Sequence, residues 1–184
     1  TLGGNGSLPA DGAAFTNFNG TLKFKLPQEQ TVSDGGSFGQ GASPAVAYME
    51  DYKSPAQFKN VCGAVELNLT GTCYVSSIVL SDLNGAKLWG DCELALDGKQ
   101  GTDEQTLNIT GGSNQVILKL EKETKLSATD PKTFVAIVPP GSMSKGFTVK
   151  LLDATGKAVS FFTVQNTQVV TSRSKVTCMK QATV

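Results

Sequence analysis

The sequence predicts an all-β fold built as a sandwich or a barrel. Three observations carry this. Apolar and polar residues alternate in many short runs, the period of two that a half-buried strand imposes. Turn signals separate these runs every 8 to 12 residues. Gly, Ser, Thr and Asn together fill 63 of 184 positions, a composition of loop and strand formers. No stretch sustains a period of 3.6. Helix is therefore expected in under about a tenth of the chain, against roughly a third in an average soluble protein.

The elements follow in order. Residues 1–20 are rich in Gly, Asn and Ala and read as an irregular arm. From Thr21 to Leu26, the side chains of Leu22, Phe24 and Leu26 share one face and those of Lys23 and Lys25 the other. Pro27 ends that strand, since it has no N–H to give to a ladder. Residues 33–44 form a Gly-rich loop, Ala45 to Met49 a short apolar strand, and Lys53 to Pro55 a linker. The linker divides the chain into an N-terminal β unit, residues 1–57, and a larger β domain, residues 58–184. Phe58 is expected to be the first residue packed into the larger domain.

Beyond Phe58 strands come regularly. Val61, Val65, Leu67 and Leu69 lie on one face, and Thr70-Gly71 turns the chain. Cys73 to Leu80 and Lys87 to Leu96 flank Asn84-Gly85, a strong hairpin signal. Thr106 to Ile109 and Val116 to Leu120 flank Gly111-Gly112. Residues 119–125 (KLEKETK) fit either a helical turn or a charged loop. Thr133 to Val138 ends at Pro139-Pro140-Gly141, and Phe147 to Leu152 pairs with Ala158 to Val164 across the Asp153–Gly156 turn. Val169 to Thr171 and Val176 to Met179 close the chain. The apolar phase of these strands assigns Leu67, Leu69, Ile78, Leu118, Val149 and Leu151 to the core.

Charge and composition narrow the function. Lys plus Arg and Asp plus Glu are 16 each, so the formal net charge is zero. That argues against nucleic-acid binding, which needs a basic surface excess. There is no histidine, which removes Ser-His-Asp triads, Cys-His dyads and His-ligated zinc. No apolar run approaches the roughly 18 to 20 residues of a membrane-spanning helix. The first residues show neither a basic n-region nor an apolar h-region, which fits a cytosolic chain or a processed or truncated one.

Candidate chemistry is sparse. Asp97, Asp103 and Glu104 sit in a Gly-containing loop, but their spacing is not that of a calcium loop, and a solvated loop is expected. Glu66, Asp91, Glu93 and Asp153 are available as carboxylates, yet nothing in the sequence pairs them. Trp89 and Tyr74 could stack on a sugar, although a lone Trp beside a turn belongs more often to the core or its rim. Asn5, Asn68 and Asn108 each open an Asn-x-Ser/Thr sequon. No catalytic, cofactor-binding or metal-ligating residue is assigned, and no enzyme activity or cofactor is expected.

Four segments resemble the fimbrillin-like surface proteins of Bacteroidetes. They are residues 26–51 (LPQEQTVSDGGSFGQGASPAVAYMED), 58–71 (FKNVCGAVELNLTG), 75–94 (VSSIVLSDLNGAKLWGDCEL) and 134–157 (FVAIVPPGSMSKGFTVKLLDATGK). The resemblance implies transthyretin-like Greek-key β-sandwich domains, export, and a place at the cell surface or outer membrane. It implies a structural or adhesive subunit that assembles by β-strand exchange. Its partners would be other fimbrial subunits or ligands on host or bacterial surfaces. The alternative is a carbohydrate-binding surface lipoprotein that uses Trp89 or Tyr74 and takes a glycan. No nucleic acid is expected, and membrane attachment only through a lipid anchor outside this chain.

The cysteines leave two readings. A four-residue loop at Asn84-Gly85 would set Cys73 opposite Cys92, within disulfide range. A two-residue turn would set Cys73 opposite Leu96 and leave all four thiols free. The bridge is the favoured reading, because the export that the resemblance implies would place the chain in an oxidising compartment. Cys62 and Cys178 are expected to be buried and unpaired.

Overall fold

The computed structural model describes residues 9–10, 13–14, 21–33, 35–39, 41–48, 55, 57–95, 106–165, 169 and 171–184. All regular secondary structure among them is β, as the alternation predicts. In chain order the strands are β1 (Pro9–Ala10), β2 (Ala13–Ala14), β3 (Thr21–Leu26), β4 (Glu29–Val32), β5 (Ala45–Tyr48), β6 (Gln57–Asn60), β7 (Gly63–Thr70) and β8 (Tyr74–Asp82). They continue with β9 (Gly90–Ala95), β10 (Leu107–Thr110), β11 (Gln115–Lys125), β12 (Lys132–Val138), β13 (Gly146–Leu152), β14 (Ala158–Gln165), β15 (Val176–Cys178) and β16 (Ala182–Thr183).

Three sheets form the body. The five-stranded sheet runs β14-β13-β8-β11-β4. The central sheet runs β12-β7, with β15 and β16 in succession along the other edge of β7. The third sheet runs β10-β9-β3. Two small ladders, β1-β2 and β5-β6, complete the pairing.

The central sheet is apolar along one face and also at one end of the other, and this holds the layers together. Val65, Leu67 and Leu69 of β7, with Phe134, Ala136 and Val138 of β12, pack on the five-stranded sheet. The alternate residues Ala64 and Ile137 face away and join Leu22, Phe24, Leu26, Cys92 and Leu94 of the third sheet. A strand covered on both faces reads as a near-continuous apolar run; residues 61–65 (VCGAV) have that texture and are all buried, whereas from Glu66 to Leu69 polar and apolar residues alternate. The six predicted core residues, Leu67, Leu69, Ile78, Leu118, Val149 and Leu151, are all buried.

Two sheets join residues on either side of the expected division at residues 57/58, and other expectations are corrected. β3 pairs antiparallel with β9, and β4 pairs parallel with β11. Hydrogen bonding thus draws residues 21–32 into the same layers as residues 63–152. Phe58 is not a core residue: among the described residues its strand pairs only with β5, and its side chain is 71% exposed. The Asn84-Gly85 turn does not close a hairpin. β8 pairs with β11 and β13, while β9 lies in the third sheet, so the segment carries the chain from one layer to another. The buried Asp82 carboxylate holds it, accepting the N–H groups of Asn84 (2.6 Å) and Ala86 (3.0 Å).

Residues 119–125 are neither helix nor loop but the second half of β11. The β8-β11 register slips there, from Lys119 opposite Ser77 to Thr124 opposite Val75. The irregularity also explains why Val75 and Ile78, of opposite parity, are both buried in one core.

Candidate functional site

The two sides of the sandwich are finished differently, and the difference defines the site. On one side β12 and β4 are edge strands, and both edges are capped. The Gln30 side chain of β4 hydrogen-bonds both backbone groups of Ile137 in β12. The Val135 N–H donates to the Gly36 carbonyl at 3.1 Å. Gly39 N–H donates to the Thr31 carbonyl at 2.7 Å, and Phe38 bridges to Val32. Residues 35–39 therefore fold back over the edges. Gly36 permits this: its φ is +76°, and a Cβ there would lie 1.9 Å from the Thr133 carbonyl oxygen.

The opposite side is unlike it. β14 pairs with β13, and no described strand pairs with its other edge. Its sequence, AVSFFTVQ, has no charge, no Pro and no Gly, so it carries none of the usual devices that discourage further pairing. Phe161 on its outer face is 73% exposed, and Val159 is also exposed. Phe162 and Val164 on its inner face are only partly covered by the core. Between β14 and the C-terminal edge lies a groove of about 510 Å³, walled by Phe162, Val164, Leu67, Leu69, Phe147 and Met179.

Local chemistry sets β14 in place. The Asp153 carboxylate accepts the Thr155 hydroxyl (2.6 Å), the Thr155 N–H (2.8 Å) and the Lys157 N–H (3.0 Å). The Thr155 hydroxyl is the main cause that holds the Asp153 carboxyl below its ordinary range. The tight turn fixes the β13-β14 register, with Lys150 opposite Phe161 and Val149 opposite Phe162. At the far end Gly146, at φ +102°, lets the Val164 carbonyl approach to where a Cβ would stand 1.9 Å away.

The residues singled out from sequence do not converge. Trp89 is half-buried beside the third sheet, and its indole N–H donates to the Ser113 hydroxyl at 3.0 Å. Tyr74 opens β8 in a different sheet, with the Lys125 ammonium 5.6 Å from its ring centre. The two aromatics thus form no common platform. Glu66 lies on β7, Asp91 and Glu93 on β9, and Asp153 in the β13-β14 turn. Glu93 pairs with Lys23 across the β3-β9 ladder at 2.7 Å. Asn68 is committed inside the central sheet, donating to Glu66 and the Met179 carbonyl and accepting from Thr133, whereas Asn108 is exposed on β10. Asp97, Asp103, Glu104 and Asn5 lie outside the described residues. Among the described residues no group of His, Cys, Asp and Glu could hold a metal ion, and no helix is long and apolar enough to cross a membrane.

All four cysteines are free. The expected Cys73–Cys92 bridge is not formed, because β9 leaves the five-stranded sheet and Cys92 lies opposite Phe24 and Ile109. Cys62 is buried as expected, but Cys178 is exposed on the C-terminal edge strand. Burial pushes both the Cys62 and Cys92 thiols upward, Cys92 to about 11.

The edge itself was not found from sequence. AVSFFTVQ reads as a strand, but whether a strand is an edge depends on pairings made elsewhere. Its freedom from charge was the available signal. No protein-family model matches the chain, and no curated protein matches it.

Proposed function

We propose that this chain is a structural or adhesive cell-surface subunit, fimbrillin-like, that associates through the outer edge of β14 along Ala158–Val164. One observation supports the reading above all. Along Ala158–Val164, an uncharged and Pro-free stretch beside an apolar groove, no described strand pairs with the outer edge, while the edges on the other side of the sandwich are capped. Backbone N–H and C=O groups along such an edge bind an added strand without reference to its sequence. The groove walls would then select apolar side chains at alternate positions of that strand. Export to the surface and Greek-key, transthyretin-like connectivity come with the family resemblance and belong to the same proposal. The reading needs neither a catalytic residue nor a cofactor.

The test is electrophoresis of unboiled protein in mild SDS, over a range of loading concentrations. Species heavier than the monomer are expected. They should disappear when Phe161→Lys and Thr163→Lys put two charges on the exposed face of β14. Monomer alone at every concentration would overturn the reading. Glycan-array binding that is lost on Trp89→Ala would favour the carbohydrate alternative instead.

A further inference from the structure

We infer that the strand added to β14 is the β14 of a second copy, paired antiparallel about a two-fold axis through Phe161. This rests on the reading of β14 as the associating edge and names its partner. Three observations favour a second copy. First, the strand is self-compatible: from Ala158 to Gln165 it has no charged side chain, so a copy meets no like charge along the ladder. Second, its composition of Val, Phe, Thr and Val favours pairing with another such strand. Third, the C-terminal edge beside it is made of two short strands, of three and two residues, which leaves the eight-residue β14 as the longest edge on this side of the sandwich.

The register follows from symmetry. An antiparallel pair related by a two-fold normal to the sheet must keep faces matched, so partners share parity. Centring on Phe161, the most exposed large apolar side chain of the described residues, sets Phe161 opposite Phe161 of the second copy. Val159 then faces Thr163, and Ser160 faces Phe162. On the outer face the two Phe161 rings form a cross-strand aromatic pair, flanked by Lys150 from each β13. On the inner face the partly covered Phe162 and Val164 gain Ser160 and Ala158 of the second copy as neighbours. The two five-stranded sheets become one. Such a contact is isologous, so it closes at the dimer and does not propagate.

Sedimentation of the full chain over a wide concentration range, joined to cysteine cross-linking, tests this. A single monomer–dimer equilibrium is expected. Phe161→Lys should weaken it by about tenfold or more, through the lost aromatic pair and two opposed charges, with an unchanged circular dichroism spectrum because the side chain is exposed. In a Cys178→Ser background, Phe161→Cys should form a disulfide-linked dimer under mild oxidation, and Thr163→Cys alone should not. A mixture of Val159→Cys and Thr163→Cys chains should cross-link. An open series of oligomers that Phe161→Lys abolishes would overturn the symmetric partner while leaving the β14 edge as the site of association. A monomer at all concentrations would overturn both.

Discussion

The side-chain amide of Gln30 hydrogen-bonds both backbone polar groups of Ile137, its N–H donating to the carbonyl at 2.8 Å and its oxygen accepting the N–H at 2.9 Å. Gln30 is 2% exposed and belongs to the five-stranded sheet, whereas Ile137 belongs to the central one. A side chain here does what a neighbouring strand would do. It satisfies an edge and ties two layers along one side.

Gln30→Leu therefore removes the partners of two buried backbone groups at once. Each group left unpaired costs about 1–3 kcal/mol. Urea unfolding should show a lower midpoint with an unchanged slope, since the surface exposed on unfolding is the same. An unchanged midpoint would mean that the clasp contributes nothing.

Gly36 supports the same edge by another route. At φ +76°, with a Cβ position 1.9 Å from the Thr133 carbonyl oxygen, Gly36→Ala is both strained and obstructed. It should destabilise by more than about 1 kcal/mol. Gly35→Ala is the control, because nothing lies within 4 Å of a Cβ there. Its effect should stay within about 0.5 kcal/mol. Equal effects in thermal melts would show that the close approach to Thr133 is not made.

Residues 59–184 expressed alone should not fold cooperatively. Without β3, Cys92 and Leu94 lose the cover of Leu22, Phe24 and Leu26. Without β4, the Ile137 backbone loses Gln30. A protease-resistant fragment beginning near Phe58, with a sharp melting transition, would contradict this and restore an independent C-terminal domain.

What the sequence made legible follows the range of the interactions. Leu22, Phe24 and Leu26 alternate with lysines, so face and strand are both read from six residues. The Asp153–Gly156 hairpin is legible because its cap, turn and register are local. The Asn84-Gly85 segment carries a similar signal, yet Asp82 uses it for a crossing between layers, and its second carboxylate oxygen accepts the Met143 N–H, 61 residues away. No local pattern encodes that contact. Val75 and Ile78 fail the period of two because the β8-β11 register slips between them. β14 is legible as a strand, but its place at the edge among the described strands is not, since that depends on where every other strand pairs.

The thiols give the last prediction, because their environments differ so sharply. Cys178 is exposed and Cys73 partly so, while Cys62 and Cys92 are buried in the core between the central and third sheets. A titrant added to native protein should modify Cys178 first and leave Cys62 and Cys92 untouched. Unfolded, unreduced protein should give four free thiols, and two would restore the bridge. The buried pair also sets an alkaline limit. Burial raises Cys62 furthest, the neighbouring Cys92 adds to it, and Arg173 opposes it. Burial likewise lifts Cys92, to about 11, against a pull from the Leu26 backbone. An unfolded thiol ionises near 8.5. Both folded values lie above that, so the unfolded chain gives up its protons first as pH rises. Stability is then fully present below about pH 8.5 and declines above it, until each folded thiol ionises in turn. The slope is about 1.4 kcal/mol per pH unit for each thiol. Urea midpoints at pH 8 and pH 10 should fall further in the natural chain than in a Cys62→Ala, Cys92→Ala variant, which starts lower because of its cavities. Comparing the two profiles cancels what every other group contributes. Parallel profiles would show that neither thiol is held in an apolar core.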